Sequence, residues 1–154
     1  MPEIPIRPFL ASLVAIRKTE VDFEVLLLRR TQTLVGEWCQ VAGSIEEGET
    51  AWQAAKRELK EETNLQPDAL YSADICEQFY EPDRDSITVA PVFVAFVDPV
   101  AEVTLNYEHS EYRWVSFKEA REMVAFGGQR RILNWIEEEF VKREPVKHLL
   151  IKDS

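Results

Sequence analysis

One segment, residues 43–65, constrains this chain more than any other, because it predicts a helix with two chemically different faces. It reads GSIEEGETAWQAAKRELKEETNL. Thr50 is suited to cap the start of a helix, and Gln53 three residues later completes a capping box. Asn64 stands where the helix should end, since asparagine tolerates the left-handed conformation of a C-terminal cap. The sequence therefore predicts a helix over residues 50–63.

The two faces of this helix differ in what they require of their surroundings. At about 100° per residue, Glu58, Glu61 and Glu62 fall within an arc of roughly 100°. A neighbouring apolar stripe, suited to pack on a sheet, consists of Trp52, Ala55 and Leu59. Crowded carboxylates cost about 0.2–0.5 kcal/mol per like-charged pair, so helix stability does not explain them. They indicate either a solvated acidic face or ligands for a hard divalent cation such as Mg²⁺.

The remaining sequence alternates between strand and helix patterns, with no repeat and no low-complexity linker. We predict strands over residues 8–17, 23–30, 37–42, 71–80, 86–97 and 112–115. Two further helices are expected at about 117–124 and about 129–142, the last with an apolar stripe at helical spacing. This order predicts one domain, residues 1–154, of the α/β (α+β) class with helices packed on a mixed sheet.

Charge and composition limit the partners that this chain can have. The formal net charge is −10, which disfavours general nucleic-acid binding and implies that cations help to hold any anionic substrate. No apolar run approaches the roughly 18 residues that a membrane span needs. The start of the sequence has no basic and apolar export pattern, and Cys39 and Cys76 have no metal or redox spacing. We therefore expect a cytoplasmic protein with two reduced and buried thiols.

The spacing of glycine and acidic residues in residues 43–65 resembles the Nudix box. Gly43 is followed after five residues by Glu49, then after seven by Arg57-Glu58, and Glu61-Glu62 complete the pattern. Asn64 stands where the family usually has glycine, but both residues serve the same capping role. The flanking sequence also looks like a Nudix domain. The resemblance implies the Nudix fold, a mixed β-sheet sandwiched between α-helices.

The resemblance also implies a role for each residue of the box. The expected Mg²⁺ ligands, with Mn²⁺ as a possible substitute, are Glu58, Glu61, Glu62 and the backbone carbonyl of Ala42. Residues expected to hold the loop and orient these glutamates are Gly43, Glu49 and Arg57.

Residues outside the box are expected to complete the site. Glu108 is our candidate for the carboxylate that reaches the metal and accepts a proton from water, and Glu111 is the alternative. Either residue could instead be an ordinary exposed carboxylate. Arg30 is expected to contact a substrate phosphate. Trp38 is expected to stack on a base, although core packing is the other interpretation.

The implied function is Mg²⁺-dependent hydrolysis of a diphosphate linkage in a nucleoside triphosphate-like substrate. Water attacks phosphorus, and monophosphate and diphosphate are released. The sequence around residues 43–50 and 108–114 favours the bacterial dihydroneopterin triphosphate and dATP pyrophosphatase branch. Two alternatives are a nucleotide-sugar or dinucleoside polyphosphate diphosphatase and a non-catalytic nucleotide-binding domain. A small-molecule partner and a monomer or homodimer are expected, with no membrane contact.

Overall fold

Eight strands and three α-helices make up the part of the chain that the structure, a computed structural model, describes, residues 1–152. The strands are β1 (Ile6–Arg7), β2 (Leu10–Lys18), β3 (Phe23–Arg30), β4 (Trp38–Cys39), β5 (Val41–Ser44), β6 (Ala69–Glu81), β7 (Ser86–Phe96) and β8 (His109–Val115). The helices are α1 (Ala51–Thr63), α2 (Phe117–Met123) and α3 (Gly127–Ile136). A π-helical turn, Glu137–Val141, extends α3, and a 3₁₀ turn, Lys147–Leu149, follows.

The strands form a mixed sheet, as the sequence predicted. Its main path runs β1-β7-β2-β3-β4, while β5 pairs with β2, β6 with β7 and β8 with β3. Strand β2 runs parallel to β7 and antiparallel to β3 and β5. The central strands β2 and β3 are nearly continuous apolar runs, which is typical of strands covered on both faces.

Alternate side chains of β2 enter two separate hydrophobic cores. Val14 and Ile16 pack on one face with the apolar sides of α2 and α3, including Phe117 and Ile136. The opposite face carries a second core formed with α1, whose members include Leu13, Ala15, Ala54, Ala55 and Leu59. Each fully buried aliphatic side chain contributes about 1.5–3 kcal/mol. The predicted sheet between helices is therefore confirmed.

Helix α1 begins and ends at the predicted caps. The Thr50 side chain accepts from the Gln53 amide, and the Gln53 side chain accepts from the Thr50 amide, which completes the capping box. Asn64 has φ 62° and ψ 16°, and its N–H donates to the Lys60 carbonyl. Both Glu58 and Glu62 are buried rather than on a solvated face. The helix thus brings two carboxylates into the protein interior.

One predicted strand is wrong, the short strand β1 was not predicted, and several element ends differ from the prediction by one to three residues. Residues 37–42 form two short strands, because the chain leaves β3 after Cys39 and joins β2 from Val41 onward. Gln40 lies between the two pairings. Strand β8 begins at His109 rather than residue 112, and α3 begins at Gly127 rather than residue 129. The added pair Arg30–His109, formed across a bulge in the β3–β8 ladder, explains the longer β8.

The C-terminal segment returns to the sheet after the last helix. The Ile151 amide donates to the Leu70 carbonyl at 2.8 Å. Residues 153 and 154 of the predicted domain lie outside the described residues. None of the helices described in residues 1–152 is both long and apolar enough to cross a membrane.

Candidate active site

Arg57 connects the loop before α1 to the acidic side of the helix. Its Nε and Nη2 donate to the two Glu49 carboxylate oxygens at 2.7 and 3.0 Å, and Nη2 also donates to the Ser44 carbonyl at 2.9 Å. Its Nη1 donates to Glu58 at 2.8 Å and to Glu61 at 3.2 Å. The hydrogen bond from Arg57 lowers the pKa of the Glu49 carboxyl. The guanidinium therefore fixes the loop and two of the glutamates relative to one another.

Gly43 lies in β5 directly against the side chain of Glu58. A Cβ atom at residue 43 would overlap the carboxyl group of Glu58, at a separation that real Cβ atoms essentially never show. Sheet and helix thus approach each other most closely where the first buried carboxylate stands.

Glu62 is the most deeply buried carboxylate of the site. Its exposed fraction is 1%, and its Oε2 atom has no hydrogen-bond partner within residues 1–152. Burial raises the pKa of Glu62 well above its ordinary value, the contacts with Glu58 and the nearby Glu108 raise it further, and Arg30 opposes this. Two adjacent buried carboxylates are stable only if they share a proton or a compensating cation.

A hard divalent cation such as Mg²⁺ requires several oxygen ligands directed at one point. Across residues 1–152, no three His, Cys, Asp or Glu side chains stand ready to hold a metal ion. Glu58 and Glu61 are instead bonded to Arg57. The Glu62 oxygen that has no partner within residues 1–152 nevertheless lies beside Glu58. The two carboxylates together offer the oxygen ligands that Mg²⁺ prefers. Arg57 contacts one oxygen of Glu58 and one oxygen of Glu61, so the second oxygen of each carboxylate fits a hard divalent cation while Arg57 stays in place.

A small cavity of about 80 Å³ opens beside Glu62, and we call it the acidic cleft. Its lining residues are Arg30, Gln32, Thr33, Cys39, Gln40, Ala42, Glu62, Glu108 and His109. The structure thus brings the predicted Arg30, Ala42 and Glu108 together with Glu62. Arg30 is oriented by its Nε, which donates to the Thr33 carbonyl at 2.8 Å. Glu111, in contrast, is exposed and accepts from Arg29 at 2.9 Å.

His109 is a buried member of the acidic cleft that the sequence analysis did not assign to the site. Its Nε2 lies 3.7 Å from the Glu62 carboxylate and 3.9 Å from the Cys39 sulfur. Burial, with a smaller effect from Arg30, lowers the pKa of His109 to about 4. The imidazole is therefore neutral at neutral pH. Its place one residue after Glu108 was the available signal in the sequence.

A larger cavity of about 420 Å³ adjoins the acidic cleft, and we call it the ring pocket. The two share the lining residues Arg30, Cys39, Gln40 and Ala42. The volume falls in the range of small-molecule sites. Trp38 lines the ring pocket, packs partly against the core, and has the Arg113 guanidinium carbon 5.4 Å from its ring centroid.

Sequence reasoning missed three polar residues of the ring pocket, namely Gln40, Glu77 and Gln129. Only Gln40 gave a signal, as the one strongly polar residue between Trp38 and Ala42.

Comparison with known proteins links this geometry to a family. A family model described as NUDIX domain matches residues 8–136. The chain is 32% identical over 112 residues to the bis(5′-nucleosyl)-tetraphosphatase (asymmetrical) of Caenorhabditis elegans, a match that covers 71% of this chain and 80% of that protein. It is 34% identical over 121 residues to an octanoyltransferase of Myxococcus xanthus, covering 77% of this chain but 34% of that longer protein.

A solved structure gives the same result. The E. coli dihydroneopterin triphosphate pyrophosphohydrolase superposes with a TM-score of 0.70 and 25% sequence identity, over 91% of this chain and 99% of that chain. The similarity therefore includes nearly the whole architecture and not only residues 43–65.

Proposed function

Because the chain belongs to the Nudix hydrolase family, we propose that it hydrolyses a diphosphate linkage in a nucleoside triphosphate-like substrate with the help of Mg²⁺. The products would be a monophosphate and diphosphate. The observation that supports this proposal best is the buried oxygen of Glu62 that has no hydrogen-bond partner among residues 1–152. It lies beside Glu58, at the edge of a cleft that contains Arg30. The acidic residues that line the acidic cleft are Glu62 and Glu108, and the basic residue is Arg30. One arginine does not balance two carboxylates and a phosphate chain, so cations must supply the remaining positive charge.

In this proposal the glutamates of α1 hold the divalent ions. Glu58, Glu61, Glu62 and the carbonyl of Ala42 would be the ligands, with Mn²⁺ able to replace Mg²⁺. When bound, the ions neutralise charge on the phosphoryl oxygens and lower the pKa of a water molecule. Arg57 keeps the glutamates in position through Glu49 and the Ser44 carbonyl. Arg30 orients the phosphate chain from the opposite wall of the acidic cleft.

Glu108 is proposed to accept the proton of the attacking water. It lines the same cleft as Glu62, whereas Glu111 is exposed and paired with Arg29. His109 is neutral at neutral pH and is close to Glu62. Because its lowered pKa makes the imidazole a weak base, we place it as a support for Glu62 rather than as the proton acceptor. Comparing pH–rate profiles of Glu108→Gln and Glu111→Gln would distinguish the two carboxylates. An unchanged profile in Glu108→Gln would assign the role of proton acceptor to Glu111 instead.

A second candidate function is cleavage of a dinucleoside polyphosphate. It is favoured by the similarity to the worm protein named bis(5′-nucleosyl)-tetraphosphatase. Product analysis with Mg²⁺ separates the two candidates. Free diphosphate from a triphosphate supports the first, and two nucleotide products from a dinucleoside substrate support the second.

The metal role is tested with Glu58→Gln and Glu62→Gln, which keep the side-chain size and remove the charge. Each should lower Mg²⁺-dependent turnover by roughly 100-fold or more while the melting temperature stays in the folded range. Glu138→Gln is the control, since Glu138 pairs with Lys142 on the exposed side of the π-helical turn. Near-normal turnover in both Glu58→Gln and Glu62→Gln would contradict the assignment of these residues as metal ligands.

The proposal includes a cytoplasmic location and a monomer or homodimer. The two free cysteines, Cys39 and Cys76, are compatible with a reducing compartment. Size-exclusion chromatography with light scattering would give the oligomeric state.

A further inference from the structure

The walls of the ring pocket expose aromatic side chains that three different elements supply. Phe79 and Tyr80 come from β6, Phe126 stands at the start of α3, and Trp38 comes from β4. The exposed fractions of Phe79, Tyr80 and Phe126 are 45%, 53% and 51%. Exposed rings around a cavity of this size are suited to bind a flat ring system.

A hydrogen-bonded amide pair fixes the polar part of the ring pocket. Gln129 Nε2 donates to Gln40 Oε1 at 3.3 Å, and Gln40 Nε2 donates to Ser12 Oγ at 3.0 Å and to Glu77 Oε1 at 3.4 Å. Gln129 is fixed in turn, since its Oε1 accepts from the Phe126 amide. Each amide therefore has a defined orientation, and the pair presents its donor end to Glu77.

Glu77 has unused acceptor capacity in this pocket. Within residues 1–152, Gln40 is the single hydrogen-bond donor to its carboxylate, and that contact is long. A carboxylate can accept about four hydrogen bonds. Burial raises the pKa of Glu77, and the Gln40 contact only partly opposes this. A ligand that offers N–H donors at Glu77 would therefore use the remaining acceptor positions of this half-buried carboxylate.

We propose that Glu77 selects substrates that carry a 2-amino-4-oxopyrimidine edge, the edge shared by guanine and by pterins. The ring N–H and the neighbouring amino N–H of that edge would both donate to the two carboxylate oxygens, while the aromatic walls enclose the ring. The proposal rests on the proposed function, because it assigns the ring pocket to the substrate whose phosphates occupy the acidic cleft.

The donor pattern excludes the other common bases. Adenine and cytosine each present an amino donor beside a ring acceptor, and that acceptor would face a carboxylate oxygen. Uracil presents its ring N–H between two carbonyl oxygens. An ionised carboxylate only accepts hydrogen bonds, so each of these edges leaves a repulsive or unpaired contact. A repulsive or unpaired contact costs more binding free energy than the simple loss of a hydrogen bond. The preference for the guanine or pterin edge over the other bases should therefore be large.

The experiment measures kcat/KM with Mg²⁺ for GTP, ATP, CTP, UTP and dihydroneopterin triphosphate. It is paired with equilibrium binding of the α,β-imido analogues of GTP and ATP, in which the linkage that the enzyme would cleave is blocked. The wild-type protein should prefer the guanine or pterin compounds at least tenfold. Whichever of GTP and dihydroneopterin triphosphate has the higher kcat/KM identifies the source of the edge. In Glu77→Gln the guanine preference should fall by roughly 10- to 100-fold.

Two variants separate recognition from folding and from charge. The amide of Glu77→Gln offers one donor and one acceptor, as the adenine edge requires, so ATP should be retained or improved while GTP declines. Glu77→Asp keeps an acceptor-only group and should keep the guanine preference at lower affinity. Glu37→Gln removes the same charge from another wall of the ring pocket and should leave the base preference in place.

The outcomes distinguish this proposal from the proposed function. Hydrolysis of all four nucleoside triphosphates at similar kcat/KM, or a uniform loss in Glu77→Gln, would overturn the role of Glu77 and leave the hydrolase intact. Guanine-selective binding of the imido analogue without any hydrolysis would support Glu77 and contradict the proposed function. Absence of both binding and hydrolysis would contradict both.

Discussion

The backbone of Gly43 lies so close to the carboxyl group of Glu58 that residue 43 has no room for a Cβ atom. The nearest three atoms that such a Cβ would meet all belong to the Glu58 side chain, each under 3.0 Å away. Glycine is required at this position by the close approach of Glu58 and not by backbone conformation. The glycines of the described chain that have a positive φ are Gly36 and Gly48. The proposed metal ligand is thus positioned by the absence of a neighbouring side chain.

Gly43→Ala is expected to lower Mg²⁺-dependent turnover by roughly 10- to 100-fold, the range seen when groups that support metal ligands are altered. The new methyl group would displace the carboxylate, while the backbone of β5 can remain in place. Turnover and the apparent Mg²⁺ affinity would be measured together with the melting temperature. Gly127→Ala is the control, because a Cβ there meets only the Arg130 side chain at 3.6 Å. Equal turnover in the two variants would show that Glu58 is not held by this contact.

Arg57→Lys is expected to reduce turnover by roughly 10- to 100-fold even though the positive charge is kept. A lysine ammonium cannot make the paired contacts to Glu49 while it also reaches Glu58 and the Ser44 carbonyl. Steady-state kinetics over a Mg²⁺ titration would show the change as a higher metal requirement. Arg121→Lys is a matched control, since Arg121 also forms a partly buried ion pair, at 2.7 Å to Glu137. A similar loss in both variants would point to general destabilisation.

The free energy of unfolding is expected to decline as the pH rises above 4.5, the ordinary value for glutamate, because burial raises the pKa of Glu77. The folded state then binds the proton more tightly than the unfolded state, so stability is greatest below that value and is lost through the folded-state pKa. The slope for one group is at most about 1.4 kcal/mol per pH unit. Denaturant titrations across this range should show a flatter curve for Glu77→Gln. Parallel curves for the two proteins would contradict the buried-carboxyl assignment.

The two cysteines are expected to differ strongly in reactivity. Burial raises the pKa of the Cys39 thiol to about 11, and Cys39 is 7% exposed. Cys76 is exposed, so the expectation of two buried thiols is wrong for this residue, which lies at an outer position of β6. The thiolate is the reactive species, so at neutral pH a thiol reagent should modify Cys76 first. Mass spectrometry after timed labelling would count the adducts, and denaturant should release the second. Rapid double labelling of the folded protein would show that the interior around Cys39 opens readily.

The local features of residues 43–65 followed directly from the sequence. Thr50, Gln53 and Asn64 cap the helix as expected, because capping depends on a few neighbouring residues whose spacing is visible in the chain. The covered sheet followed from the order of strand and helix patterns along the chain. The acidic spacing of Glu58, Glu61 and Glu62 likewise predicted the family, which the match over residues 8–136 confirmed.

Contacts between distant parts of the chain were beyond the reach of sequence patterns. The pairing of β4 with β3 and of β5 with β2 depends on which strand edges are free, and this divided the single strand predicted over residues 37–42. The same crossing places Gln40 beside Glu77, 37 positions later in the chain. Hydrogen bonds of this kind follow from the packed arrangement of the sheet and α3, and periodicity carries no information about them.

The sequence by itself therefore determined the helix of the box, its acidic spacing and the layered fold, because these depend on local propensity and hydrophobic pattern. Only the tertiary structure decided that Glu62 is buried with an unpartnered oxygen, that Glu108 rather than Glu111 shares its cleft, and that the ring pocket contains Glu77. Burial and pKa depend on every element that surrounds a group, and that surrounding forms only when the chain has packed.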